Sequence, residues 1–356
     1  MKKALLVLLL LAVAGGLFAQ VTFSGDVATG IMVAVEDDTT FHVYNPSPGQ
    51  AWQFTVSGTV AKESDTGKAG AGFRLIRNNG NAAVPNFDAA NVWVEPIVDV
   101  LRIAAGNGGP GGFGTPGTNG TSNDAAAGQG LHFRVIPATG FSLGASIQPT
   151  GAAIGDSNFR FGVNYNVDLF QVVANLGYTG ATDVINAAAG FSFKGLASAG
   201  ISSIAIDVRA DNITNLDTAG SVTVGPIVNF ALAGISGNVA GLVYIPVQSG
   251  QELDLKARVY GSYPVVPGLA TVSLGVGFNL KQALGASAES GTFDYRYWDG
   301  IGSGIGTEKT STLGIQPNVN FSIGGGTLGL GYGIVTQLGD TAKTKHALYT
   351  NFSIGF

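Results

Sequence analysis

The ten residues NFRFGVNYNV, at positions 158–167, alternate between apolar and polar side chains. Alternation with a period of two residues predicts a β-strand whose two faces differ in chemistry. The apolar face has Phe159, Phe161, Val163 and Tyr165, and the other face has Arg160, Gly162, Asn164 and Asn166. The same pattern recurs in LHFRV at 131–135, IAIDVR at 204–209 and LDLKARV at 253–259. The chain is therefore predicted to be built from two-faced strands.

The spacing of these segments predicts about eighteen strands, which is a large number for one chain. Most are roughly 8 to 16 residues long, whereas strands of soluble proteins average about 5 to 6 residues and membrane-spanning strands about 9 to 11. Connections alternate in length along the chain. Those at 36–50, 108–129 and 281–309 are long, whereas those at residue 98, at 138–139 and at 167–168 are very short.

The composition indicates contact with lipid. Only 12% of residues are charged and 45% are hydrophobic, whereas a soluble domain has about 25% charged residues. A membrane helix needs about 20 consecutive apolar residues. The nearest candidate after the N-terminus, residues 226–247, is interrupted by Asn229, Ser236, Asn238 and several glycines, so we interpret it as two strands.

We therefore predict an all-β fold, a transmembrane antiparallel up-and-down β-barrel over residues 20–356. Hydrocarbon admits only helices and closed sheets, because every backbone amide must be paired. Short turns at one end, long loops at the other and an even strand number are typical of bacterial outer-membrane barrels. Because strand boundaries read from sequence shift by about 2 to 4 residues, sixteen strands is the alternative count.

The first nineteen residues, MKKALLVLLLLAVAGGLFA, have two lysines, an apolar run and a small residue at position 19. This layout is typical of a cleaved secretory signal peptide, so we expect the mature chain to begin at Gln20. The chain has no cysteine, and an exported protein without cysteine must be stabilised by something other than disulfide bonds.

The last residues, ALYTNFSIGF at 347–356, resemble the C-terminal assembly signal of Gram-negative outer-membrane β-barrel proteins. Leu348, Phe352, Ile354 and the terminal Phe356 match its pattern of alternating apolar residues. The whole mature chain resembles a porin, and residues 91–107 are vaguely similar to hairpins of spirochaetal outer-membrane barrels. The resemblance implies a location in the bacterial outer membrane, contact with its lipid and insertion by the barrel-assembly machinery. Porins often form trimers, but no residue pattern here marks a trimer interface.

The polar faces of the predicted strands provide a candidate lumen lining. A lumen with more bases than acids predicts a mild anion preference, because a low-dielectric wall focuses the field of its charges. The alternative is that these charges pair across strands and cancel. The predicted lining bases are Arg74, Arg102, His132, Arg134, Arg160, Arg209, Lys256 and Arg258, and the acids are Asp26, Glu95, Asp207 and Asp254.

The glycine-rich segment 108–129 is the third connection on the long-loop side of the predicted barrel. In the porins that the chain resembles, the third loop folds inward and narrows the pore. If this segment does so, Phe113 and Asp124 are its conspicuous side chains. A disordered surface loop is the alternative, because the segment is nearly uncharged and rich in glycine.

No pattern in the sequence predicts catalysis, a cofactor or a metal. GGGTLG at 324–329 matches a dinucleotide-loop pattern, but that pattern has meaning only between a strand and a helix. The three histidines, His42, His132 and His346, lack metal-ligand spacing. No nucleophile motif such as G-x-S-x-G occurs. We expect neither an enzyme nor a nucleic-acid partner.

The function predicted from sequence is that of an outer-membrane porin, a passive diffusion channel for small hydrophilic solutes with a mild anion preference. Barrels of 16 to 18 strands enclose a water channel. The alternative function is a surface adhesin or structural barrel with a closed lumen, in which the long loops 36–50, 108–129 and 281–309 bind another molecule.

Overall fold

The computed structural model describes residues 20–36, 40–44, 52–78, 86–107, 112–118, 129–150, 154–215, 220–247, 253–280, 311–338 and 344–355. The predicted signal peptide lies outside these residues. Nineteen strands form one antiparallel sheet. They are β1 Gln20–Glu36, β2 Thr40–Tyr44, β3 Trp52–Ser64, β4 Gly67–Asn78, β5 Asn86–Ile97, β6 Leu101–Asn107, β7 Gln129–Ala138, β8 Phe141–Gln148, β9 Asn158–Asn166, β10 Phe170–Thr179, β11 Val184–Phe193, β12 Ile201–Asp211, β13 Ser221–Leu232, β14 Ile235–Pro246, β15 Asp254–Val266, β16 Ala270–Leu280, β17 Ser311–Ile323, β18 Gly326–Leu338 and β19 Thr344–Gly355.

The sheet closes on itself because β1 has a partner on each side. Residues 20–29 of β1 pair with β3, and residues 26–36 pair with the last strand, β19. Each strand from β3 to β19 pairs with the next one along the chain. Closure removes the open edges that would leave backbone amides unpaired in lipid. The prediction of an all-β antiparallel barrel with eighteen spanning strands is confirmed.

The short strand β2 was not predicted, and it lies within the connection interpreted as a long loop at 36–50. It pairs with the last five residues of β1, Met32–Glu36, beyond the segment that pairs with β3. The sequence TFHVY has β-branched and aromatic residues at most positions, and such residues favour strands. β2 therefore provides a pairing partner for one end of β1 and does not add a spanning strand.

The connections at the two ends of the barrel differ in length, as predicted. At one end, β13 joins β14 through Ala233–Gly234, and β17 joins β18 through Gly324–Gly325. All four residues have positive φ, as a two-residue type I′ hairpin turn requires. The glycine pattern at 324–329 is therefore a tight turn followed by β18, not a dinucleotide loop. In outer-membrane barrels the short turns face the periplasm.

The outer surface of the barrel is apolar. Phe161, Val163 and Tyr165 of β9 are each more than a third exposed, as are Leu143 of β8 and Phe191 of β11. Exposed apolar surface of this extent marks a membrane-contacting face. No helix among the described residues is long and apolar enough to cross a membrane.

Aromatic side chains on this outer face form contacts near both ends of the strands. Towards the short turns, Tyr165 packs against Phe141 and Phe170, with ring centroids 6.5 and 5.6 Å away. Towards the long loops, the rings of Phe159 and Tyr178 lie 6.3 Å apart. Aromatic girdles at the two interfaces flank the apolar band of a transmembrane barrel.

Candidate functional site

Residues Gly112–Thr118 fold into the barrel and lie against its inner wall; we call them the inward segment. Of the two alternatives for residues 108–129, inward folding is therefore the one that residues 112–118 adopt. The contacts run across seven consecutive strands, from Gly144 on β8 to Gly241 on β14. Most fall near the middle of these strands, so the segment lies flat along the wall at about half the barrel's height.

The inward segment buries three of its side chains against the wall and leaves its glycines and proline at least partly exposed. Phe113 is fully buried, and Thr115 and Thr118 are also buried. Gly112 is exposed, and Gly114, Pro116 and Gly117 are partly exposed. The channel side of the segment is therefore peptide backbone and one proline ring, without charge. Phe113 was predicted to be conspicuous and is the side chain that anchors the segment in the wall; Asp124 lies outside the described residues.

Hydrogen bonds from neutral donors attach the inward segment to the wall. Asn164 Nδ2 donates to the Gly112 carbonyl at 2.7 Å, and Asn175 Nδ2 donates to the Phe113 carbonyl. The Thr118 amide donates to the Gly225 carbonyl at 3.2 Å, and its hydroxyl donates to the Gly241 carbonyl at 2.9 Å. These bonds satisfy backbone carbonyls that burial would otherwise leave without partners.

Three lumen-facing glycines leave room for the segment; we call Gly144, Gly190 and Gly225 the glycine track. A Cβ at Gly144 would overlap the Phe113 ring, and one at Gly190 would lie 2.5 Å from Pro116 Cδ. A Cβ at Gly225 would overlap the Thr118 hydroxyl. The absence of side chains at these positions permits the backbone of the segment to approach the wall closely.

The predicted lining bases all lie on strands, on the face opposite the exposed apolar residues. On β9, for example, Phe161 is exposed to lipid and Arg160 therefore faces the lumen. His132 is almost fully buried. His132 therefore has almost no access to the channel, contrary to its predicted place in the lining. The predicted bases on this face are Arg74 on β4, Arg102 on β6, His132 and Arg134 on β7, Arg160 on β9, Arg209 on β12, and Lys256 and Arg258 on β15.

Two of the predicted acids have less access to the channel than expected. Glu95 is 5% exposed and Asp207 is 1% exposed. Glu95 Oε1 accepts a 2.6 Å hydrogen bond from Arg102 Nε. Asp207 lies on the lumen face of β12 but is covered by the inward segment. Strand parity predicts which face a residue occupies, but it does not predict what covers that face. Asp26 on β1 and Asp254 on β15 have side chains outside the described set.

Some of the bases are paired, which is the alternative that the sequence left open. Arg209 Nε donates to Asp211 Oδ2 at 2.6 Å, which neutralises its charge. Arg258 Nη2 donates to Asn238 Oδ1 at 2.8 Å, a neutral amide that leaves the arginine charge in place. Arg134 differs, because no acid among the described residues forms an ion pair with it. Among the described residues, pairing with an acid therefore cancels charge at Arg102 and Arg209 but not at Arg134.

Trp93 belongs to the lining and was missed by the sequence analysis. Its ring centroid lies 4.3 Å from the Arg102 guanidinium carbon, a cation–π distance. Trp93 shares its strand face with Glu95, so alternation could have placed it in the lumen. Nothing in the sequence indicated that Asn164, Asn175, Thr115 and Thr118 attach the inward segment, because a neutral residue has no charge pattern to mark such a role.

The described residues have no group of three or more His, Cys, Asp or Glu side chains that could hold a metal ion. An apolar depression among the described residues is lined mainly by outer-face side chains, among them Phe133, Leu143, Phe161 and Leu176. The lumen with its inward segment is therefore the candidate site.

The fold is similar to that of solved outer-membrane porins. Pseudomonas aeruginosa OpdQ aligns over 95% of this chain and 98% of its own, with a TM-score of 0.60 and 9% identity. P. aeruginosa OpdO aligns over 95% and 97%, with a TM-score of 0.59 and 10% identity. A mutant of the Rh. blastica porin aligns over 94% and 100%, with a TM-score of 0.50 and 12% identity. No protein-family model and no curated protein matches the sequence.

The closed barrel, its lipid-facing surface and this similarity define the class of the protein. It is a closed antiparallel β-barrel with the fold of the solved outer-membrane porins. The resemblance predicted from the sequence is confirmed at the level of the fold. At 9 to 12% identity the similarity concerns the fold, and it does not extend to a solute.

Proposed function

We propose that the protein is a passive diffusion channel that admits small hydrophilic solutes and mildly prefers anions. The observation that carries this proposal is the position of the inward segment, which follows the wall across neighbouring strands. A barrel of eighteen strands is wide enough to enclose water. A segment that lies flat narrows such a lumen without crossing it.

The charge distribution supports the anion preference. Glu95 and Asp207 are buried, whereas Arg74 is exposed and Arg134 has no acidic partner among the described residues. A charge in a narrow, low-dielectric lumen acts on passing ions more strongly than the same charge on an open surface. The neutral inward segment adds no negative charge to balance these bases.

The proposal is tested by the swelling of liposomes that contain the refolded barrel, residues 20–356. Small neutral sugars should cause rapid swelling, and monovalent organic anions should enter faster than cations of equal size. Bovine serum albumin in place of the barrel controls for leakage caused by protein addition. Liposomes that hold verified folded barrel but do not swell would favour a closed adhesin or structural barrel.

Assembly of the barrel is a separate part of the proposal. Leu348 is 63% exposed and Phe352 is 37% exposed on the outer face of β19, and Ile354 shares that parity; Phe356 lies outside the described residues. We propose that these four residues are the signal read by the barrel-assembly machinery. We also propose that the barrel can form oligomers, including a homotrimer; cross-linking in native membranes tests this.

A further inference from the structure

We propose that Asp207 is a positioning residue that fixes the inward segment against the wall and thereby sets the bore of the channel. This inference rests on the proposed diffusion function and changes the role that the sequence suggested for this acid. Asp207 belongs to the lumen face, yet only 1% of it is exposed. Its carboxylate is therefore directed at the segment and not at passing solutes.

The carboxylate bonds directly to the segment. Thr115 Oγ1 donates a 2.8 Å hydrogen bond to Asp207 Oδ2, and the two residues are 92 positions apart in the chain. Both side chains are buried. A hydrogen bond to an ionised acceptor is stronger than one between neutral groups. Each of the other hydrogen bonds between segment and wall described above joins a neutral donor to a backbone carbonyl.

The wall around Asp207 has a notch that fits the segment. Its cross-strand partners are Gly190 on β11 and Gly225 on β13. A Cβ at Gly190 would lie 3.2 Å from the Cβ atoms of both Thr115 and Asp207. Asp207 thus stands between two positions without side chains, and Thr115 to Thr118 fill the space that those positions leave.

The first test compares Asp207→Ala with Asp211→Ala in planar bilayers. Both variants remove one acid from β12, but Asp211 bonds to Arg209. Polyethylene glycols of increasing size are added at about 1 M salt, where the Debye length is about 3 Å and charge effects are screened. We expect Asp207→Ala to admit larger polymers and conduct more, and Asp211→Ala to keep the wild-type exclusion limit. An unchanged limit in folded Asp207→Ala would overturn the proposal.

The second test uses a disulfide, because the chain has no cysteine of its own. The double variant Thr115→Cys, Asp207→Cys replaces the two side chains whose oxygens lie 2.8 Å apart, so that the two thiols lie on opposite sides of the same contact. Oxidised protein should keep the wild-type bore, and the same protein after reduction should admit larger polymers. Failure to cross-link, or an equal bore in both states, would contradict the proposal.

Cross-linking also separates this inference from the proposed function. It is read on a gel and requires no conductance. A barrel that cross-links rapidly but never conducts would support the proposed position of the inward segment and refute the proposal of a diffusion channel. A barrel that conducts but does not cross-link would support the channel and refute the role of Asp207.

Discussion

Arg102 on β6 and Arg134 on β7 are direct cross-strand partners on the lumen face of the barrel. Like charges placed opposite each other destabilise a sheet. Glu95 offsets the charge of Arg102, to which it bonds at 2.6 Å, whereas no acid of the described residues pairs with Arg134. Among the described residues, no acid therefore neutralises the charge of Arg134, and this charge carries the predictions on selectivity.

Replacing Arg134 by alanine should reduce the anion preference. One unit charge about 8 Å from a passing ion contributes about 0.5 kcal/mol in water. The charge attracts chloride and repels potassium, so the two effects add to about 1 kcal/mol in their ratio. We therefore expect the permeability ratio of chloride to potassium to fall by about fivefold, measured from the reversal potential in a salt gradient. Lys62→Ala is the matched control, because Lys62 is exposed near the short-turn end of β3. Equal shifts in the two variants would contradict a local role for Arg134.

Replacing Glu95 by glutamine should have the opposite effect. The amide oxygen can still accept a hydrogen bond from Arg102, but the guanidinium charge is no longer neutralised. We expect the chloride-to-potassium ratio to rise by about fivefold on the same Coulomb argument. Asp65→Asn, in the exposed turn between β3 and β4, removes the same charge outside the lumen. If the chloride-to-potassium permeability ratio fell in Glu95→Gln, the charge of the buried Glu95–Arg102 pair would not control the potential in the lumen.

A methyl group on the glycine track should disturb the inward segment. Gly225→Ala would place its Cβ against the Thr118 hydroxyl, and overpacking of this kind costs about 1 to 3 kcal/mol. Gly177→Ala is the control, since the nearest atom to a Cβ there is the Asn186 carbonyl oxygen at 4.0 Å. Denaturant titration in micelles should show a loss for Gly225→Ala and little change for Gly177→Ala. Equal stability of both would mean that the segment does not occupy the track.

The two faces of a strand should respond differently to an added charge. Leu274 of β16 is 49% exposed on the outer face, and Ser273 beside it faces the lumen. An arginine on the lipid face near the bilayer midplane costs about 2 to 4 kcal/mol. We expect that loss in the folding free energy of Leu274→Arg and a much smaller one in Ser273→Arg. The reverse order would contradict the assignment of faces, and with it the lumen lining.

The barrel could be predicted from sequence because its signal is local and repeated. Residues 158–166 show the alternation that becomes β9, and tight turns such as Gly324–Gly325 mark where strands reverse. About eighteen strands of this kind, joined by loops that alternate in length, are compatible with a closed barrel in which each strand pairs with the next. Alternation also placed Arg102 and Arg134 on one face.

The docking of the inward segment could not be predicted, because it depends on contacts between distant parts of the chain. Thr115 meets Asp207 only after β6 to β12 have closed into a wall. In a sequence, Gly190 and Gly225 are simply glycines that weaken a strand. Only the folded structure shows that they leave room for the inward segment. The short strand β2 was missed for a related reason, since it depends on β1 extending beyond its pairing with β3.

The central claim is that the barrel is an open, mildly anion-selective channel, and single-channel recording tests it most directly. Refolded barrel, residues 20–356, is added to a planar bilayer that separates two concentrations of potassium chloride. Discrete, steady conductance steps with a reversal potential displaced towards the chloride equilibrium potential are the predicted result. Protein that is verified as folded and inserted, yet gives no steps, would contradict the claim of an open channel, and steps displaced towards the potassium potential would contradict its selectivity.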